Sequence, residues 1–152
     1  MFRPEVSLTA ETTEEQRAQL LTQLNAPGAR GALAEKMGID FTAVAHDHVE
    51  ARVAVEGNTQ PMGLFHGGGH VVLAESLASM HSFLLSGGRN VVGVDLNATH
   101  LRAASEGTVT GTASVLHQGR TIMSHEVRMT DEAGRLLSIV RITNMILKTD
   151  PK

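Results

Sequence analysis

Cysteine is absent, which removes a disulfide framework, a thiolate zinc site and a cysteine nucleophile together. Tryptophan and tyrosine are absent as well, and four phenylalanines are the whole aromatic content, so the stacking platforms of single-strand nucleic-acid binders are nearly missing. No block of like charge interrupts the chain: 13 basic and 16 acidic side chains leave a formal charge of −3, which argues against disorder and against non-specific nucleic-acid binding. No segment offers the roughly 18 uninterrupted apolar residues of a membrane span. The first fifteen residues, MFRPEVSLTAETTEE, lack the apolar stretch of a secretory leader. A soluble, cytoplasmic protein is therefore expected, with a small-molecule partner, no nucleic acid and no membrane. The 152 residues, 41% apolar, suffice for one domain with a real core.

No internal repeat or low-complexity run divides the chain. Thr9 to Leu24 opens with a Ser/Thr cap candidate and acidic residues and gathers Leu20, Leu21 and Leu24 on one side, which predicts a peripheral helix. Asn25-Ala26-Pro27-Gly28 breaks it, and a short helical turn through Leu33 and Lys36 is expected to stop at Gly38. From Ile39 the period changes to two: Val49, Ala51, Val53 and Val55 alternate with Glu50, Arg52, Ala54 and Glu56, with a hairpin near Asp47-His48. Val91–Leu101, Thr108–His117, Thr121–Thr130 and Leu136–Leu147 also read as strands. Gln118-Gly119 and Asp131-Glu132-Ala133-Gly134 turn the last three into an antiparallel meander.

Between the strand groups, Gly67 to Gly88 reads as one long helix: it is too long for a strand, has no proline and is rich in Ala, Leu and Met. Leu73, Leu77, Met80 and Leu84 form an apolar stripe, and Glu75, Ser79, Ser82 and Ser86 a polar one. The fold class is α+β: six antiparallel strands with one apolar helix solve the burial problem if the sheet curls around the helix.

Chemistry concentrates in Gln60-Pro61-Met62-Gly63-Leu64-Phe65-His66-Gly67-Gly68 and in Glu75, the one formally charged residue between His66 and Gly88. A carboxylate on so apolar a helix costs desolvation energy unless it is paired or faces a cleft. A purely structural Glu held by a backbone amide or an Arg is the plain alternative. Glycines before the helix leave room for close approach, and the unpaired first-turn N–H groups can polarise a carbonyl oxygen; tight helix–sheet packing would explain the same glycines. Phosphate-loop and dinucleotide spacings are missing. His66 and His70, four apart, lack an HExxH pattern or a convincing third ligand, so neither a metal nor another cofactor is expected. His46, His48, His81, His100, His117 and His125 are scattered and read as structural or solvent-facing.

Gln60, His66-Gly67-Gly68, Leu73-Ala74-Glu75 and Ser79, followed by Val94-Asp95-Leu96-Asn97 and His117-Gln118-Gly119-Arg120, resemble the hotdog-fold acyl-coenzyme A thioesterases, in particular the phenylacetate-pathway and 4-hydroxybenzoyl-coenzyme A branch. The resemblance covers residues 36 to 147. It implies a curved six-stranded sheet around a central helix over residues 36–152, with residues 1–35 as an N-terminal helical extension. It further implies a dimer of dimers, a homotetramer, with sites between subunits. By resemblance, Glu75 is the catalytic acid group of one protomer, and the Gly67 amide of another polarises the thioester carbonyl. Gln60 and His66 orient substrate and the helix entrance, and Gly68 binds substrate. Ser79 stands where the branch often has Thr, keeping the hydroxyl and losing a methyl. Arg102, Arg120 and Thr121 are the candidates for holding the coenzyme A phosphates, a task suited to Arg. The expected reaction is hydrolysis of an aryl or phenylacetyl-type thioester, with Glu75 as nucleophile or as general base. The competing readings are a hydratase or dehydratase on acyl thioesters and a non-catalytic acyl-coenzyme A-binding module, since fold alone does not decide function.

Overall fold

The computed structural model describes residues 8–148, so the first seven residues of the leader reading lie outside it, as do residues 149–152. Helix α1 (Glu14–Leu24) begins later than the Thr9 start expected from sequence. Thr9 and Thr12 instead close a turn on each other's backbone, and Thr13 caps the helix in a reciprocal box with Gln16. Leu20 and Leu24 are buried. Helix α2 (Ala32–Met37) ends at Gly38 in the left-handed conformation (φ 74°), the geometry that made a glycine the expected stop.

Strands β1 (Asp40–Val44) and β2 (His48–Ala54) form the first hairpin. Helix α3 (Gly67–Leu85) follows, then β3 (Val91–His100), β4 (Thr108–Gln118), β5 (Ile122–Thr130) and β6 (Leu136–Ile146). All neighbouring strands are antiparallel, in the order β1-β2-β4-β5-β6-β3, so the meander of β4, β5 and β6 sits between the hairpin and β3.

The sheet wraps α3, whose Leu73, Ala74, Leu77, Ala78 and Leu84 pack against Val49, Val53, Val109, Ala113, Val127, Val140 and Ile142. In the core the approach is tight at Gly111, where a Cβ would meet Leu77 Cδ1 at 2.8 Å and Met129 Sδ at 2.9 Å. One member of the expected polar stripe, Ser82, is fully buried; Asn144 on β6 donates to its hydroxyl, which removes the cost of enclosing it.

The two sheet edges differ. Asn25, just after α1, lies along β1: its side-chain amide donates to the Phe41 carbonyl (2.8 Å) and its oxygen accepts the Phe41 N–H (2.9 Å). No described residue pairs with the outer edge of β3, and Val92, Val94 and Leu96 are exposed along it, Val94 to 49%. No helix among the described residues is long and apolar enough to cross a membrane.

Candidate active site

The start of α3 is a tightly fitted structure. Its approach is fixed by backbone bonds from Phe65 N to Ala104 O and from His66 N to Asn58 O, while the Asn58 side chain donates to Met37 O and Ala54 O. His66 is the N-cap, and its Nδ1 accepts the Gly68 N–H at 2.8 Å. The three glycines then have separate reasons. A Cβ on Gly67 would meet His100 Nε2 at 2.9 Å, one on Gly68 the capping His66 ring at 3.0 Å, and one on Gly69 the Phe65 ring at 2.9 Å. Because His66 takes the Gly68 amide, the Gly67 N–H is the first-turn donor left without a partner among the described residues. It opens on a cleft of about 340 Å³ lined by Gln60, Gly67, His70, His100 and Arg102 among others. Gln60 Oε1 accepts the Met62 N–H, so its amide nitrogen is the group available to a ligand.

Nothing in the sequence signals that His100 stands in this cleft wall, or that the fully buried Ser138 sits behind it. The Ser138 hydroxyl donates to Thr99 O at 3.1 Å, so its oxygen accepts from His100 Nδ1 at 3.0 Å. That leaves His100 Nε2 as an acceptor beside Gly67. His70 stacks on His100 with 5.3 Å between ring centroids and meets Phe65 edge-on at 4.7 Å. Burial, and secondarily the nearby His100, push the His70 pKa down to about 4. A similar pair lies deeper: His81 Nε2 donates to His46 O, so its Nδ1 accepts from His125 Nε2 at 3.2 Å. Both rings are fully buried and their pKa values fall to about 4, mainly through desolvation.

Two helical turns along α3 the environment changes. Glu75 is exposed, so the desolvation problem posed by the sequence is solved by facing outward, and the carboxylate has no hydrogen bond or ion pair among the described residues. It lies over Gly93 of β3, where an added Cβ would stand 2.6 Å from Glu75 Oε1. Ser79, one turn on, donates to Asn144 Oδ1 at 3.3 Å. Ser79 also lines a largely apolar cleft of about 270 Å³ with Phe41, Ser76, Met80, Phe83, Val91, Asn90 and Arg30. The Arg30 contribution could not be read from sequence, because only packing of the α1–α2 connection places it there.

Within one chain these groups form two separate clusters. At the helix start Gln60, Gly67 and Arg102 share the first cleft, while His66 and Gly68 line a second one with Asn58 and Thr59; Glu75 and Ser79 lie together further along α3. Gly67 packs against His100 and Glu75 against Gly93, which are about 23 Å apart along β3. The basic candidates are divided too. Arg102 donates to Leu136 O at one end of β6, whereas Thr121, next to the exposed Arg120, accepts from Ile146 N at the other, about 30 Å away.

A long helix wrapped by an antiparallel sheet in this strand order is the hotdog fold. A profile of the thioesterase superfamily matches residues 62–138, which contain the capped glycine run, Glu75 and Ser79. The 1,4-dihydroxy-2-naphthoyl-CoA hydrolase of Escherichia coli is 41% identical over 84% of this chain and 94% of its own. The proofreading thioesterase EntH of Cronobacter turicensis is 39% identical over 86% of this chain and 96% of its own. Among solved structures, a mutant thioesterase from Pseudomonas aeruginosa superposes with a TM-score of 0.78 at 37% identity, covering 84% of this chain and 93% of that one. The chain belongs to the thioesterase superfamily. It is an enzyme, a thioester hydrolase of the hotdog fold.

Proposed function

We propose that the protein hydrolyses acyl-coenzyme A thioesters of aryl or phenylacetyl type at a site completed by a second copy of the chain. The observation that carries this reading is the separation of a lone amide donor at Gly67 from a lone carboxylate at Glu75, at opposite ends of an uncovered edge strand. If β3 pairs antiparallel with the β3 of a second copy about a two-fold axis near Leu96 and Asn97, the Gly93 end of one strand comes beside the His100 end of the other. Glu75 of one copy then faces Gly67 of its neighbour. The same rotation carries Arg120 and Thr121 towards the Arg102 end, where their donors suit the coenzyme A phosphates. A homotetramer would follow from pairing two such dimers.

In this arrangement the thioester carbonyl oxygen accepts the Gly67 N–H and the amide of Gln60 orients the substrate, while His66 and Gly68 hold the helix start in place. Glu75 either attacks the carbonyl carbon, expelling coenzyme A as thiolate and leaving an anhydride that water then opens, or takes a proton from water that attacks directly, after which the C–S bond breaks and the thiolate leaves. The 270 Å³ cleft beside Ser79, with Phe41, Met80, Phe83 and Val91, supports a flat apolar acyl group.

A panel of benzoyl-, hydroxybenzoyl-, phenylacetyl-, straight-chain and enoyl-coenzyme A, followed by thiol release and by enoyl absorbance, tests this. Thiol release is expected, fastest with the aryl members, and Glu75→Gln is expected to lower kcat by about 10³-fold. Loss of enoyl absorbance without thiol release would mean hydration instead, and equal hydrolysis by wild type and Glu75→Gln would remove Glu75 from the mechanism.

A further inference from the structure

Asn144 lies on β6, fully buried, with its side chain turned to α3. Its Oδ1 accepts the Ser79 hydroxyl proton and its amide donates to Ser82. A serine has one proton to give. With that proton committed inward, the Ser79 oxygen can only accept on its outer side. One turn earlier Glu75 presents a second group that can only accept when ionised, without a partner among the described residues. Residues four apart on a helix are neighbours, about 6 Å between Cβ atoms. Two acceptors cannot bond each other, so the space between them suits a molecule that donates two hydrogens. Gly93 keeps that space open: its missing Cβ would lie 2.6 Å from Glu75 Oε1 and 3.8 Å from Asn144 Oδ1.

We propose that Asn144 is a positioning residue which, by fixing the direction of the Ser79 hydroxyl, makes Ser79 and Glu75 a two-acceptor cradle for the hydrolytic water. The inference rests on the thioesterase site described above and selects between its two mechanisms. A water giving one hydrogen to each acceptor turns its lone pairs away from the helix, towards a bound carbonyl carbon. The O–C bond forms as one proton passes to Glu75. Collapse of the tetrahedral intermediate breaks the C–S bond, and the proton held by Glu75 goes to the departing sulfur, giving free acid and thiol. In direct attack water acts only after the thiolate has left, when Glu75 is acylated and is no longer a free accepting carboxylate. Without Asn144 the Ser79 proton is free to turn outward to the Glu75 carboxylate, filling the place of the water.

Kinetics of Ser79→Ala, Asn144→Ala and the double variant, on the aryl-coenzyme A that wild type hydrolyses fastest, test this. Each single change is expected to lower kcat on the order of tenfold to a hundredfold with KM unchanged. The double variant should be no slower than Ser79→Ala alone, because Asn144 acts through Ser79. Asn144→Asp, which keeps the accepting oxygen, should recover part of the lost kcat. A single turnover of wild type in H₂¹⁸O should label the product acid and leave Glu75 unlabelled, a readout that needs no variant to fold. Label in the Glu75 carboxylate, or additive losses in the double variant, would overturn the proposal. If wild type cleaves no thioester, it is the function that fails, before the cradle is reached.

Discussion

The two edges of the sheet are finished in opposite ways. At β1 the Asn25 side chain satisfies both backbone groups of Phe41, and α1 lies alongside; at β3 ten residues run uncovered with valines at 92 and 94 exposed. Edge strands left bare invite pairing, and chains that avoid it use lysine, proline or a covering element. Among the described residues only one edge has such cover. The proposed second copy would add at β3, the strand against whose two ends Glu75 and Gly67 lie.

The largest expected effect comes from giving β3 the protection it lacks. Val92→Lys with Val94→Lys should yield a folded monomer by light scattering, with kcat/KM reduced about 10³-fold because no carboxylate reaches the amide. The matching control at the other edge, Asn25→Ala, should cost about 1–3 kcal/mol of stability in denaturant titration and leave the oligomer intact. Gly67→Pro is next: the first helical position accepts proline, and the extended His66 (ψ 133°) precedes it without strain, so the change chiefly deletes the N–H. The loss of kcat should be about 10²–10³-fold. Making the same change in a His100→Ala background relieves the 2.9 Å contact at the new Cβ and should leave that loss in place.

His70, His81 and His125 are held neutral, with pKa values near 4 against 6.5 when unfolded. Between those values the unfolded chain binds more protons, so stability is full above about pH 6.5 and falls as the pH drops towards 4. Each histidine contributes up to about tenfold in the unfolding constant per pH unit. Denaturant midpoints measured from pH 8 to 4 check this, and His125→Leu should flatten the slope. The smallest effect is expected from Gly93→Ala. Its methyl would crowd only the carboxylate end of the exposed Glu75, Asn144 Oδ1 being at an ordinary 3.8 Å, so Tm should hold while kcat falls about tenfold through a displaced carboxylate.

Much of the fold was legible because each part carried a local signal. Gly38 stops α2 as a left-handed residue, the 118–119 and 131–134 turns join the meander, and the long apolar run is α3. The beginning of α1 is ambiguous in the sequence because Thr9, Thr12 and Thr13 all qualify as caps, and only the box of Thr13 with Gln16 decides. Of the site, the residues on one helix could be grouped by periodicity. Asn144, Ser138, His100 and Arg30 could not, since their roles depend on strand register or on the packing of the N-terminal helices. The same register separates Arg102 from Arg120, which the sequence assigned to one task without showing that they occupy opposite ends of β6.

The shared site is tested most directly by mixing two variants, each inactive for a different reason, Glu75→Gln and Gly67→Pro. Co-refolded in equal amounts, half of the dimers carry one chain of each kind, and in those one of the two sites holds an intact Glu75 facing an intact Gly67. Activity should return to about a quarter of wild type. If each site is instead built within a single chain, the mixture will remain as inactive as its parts.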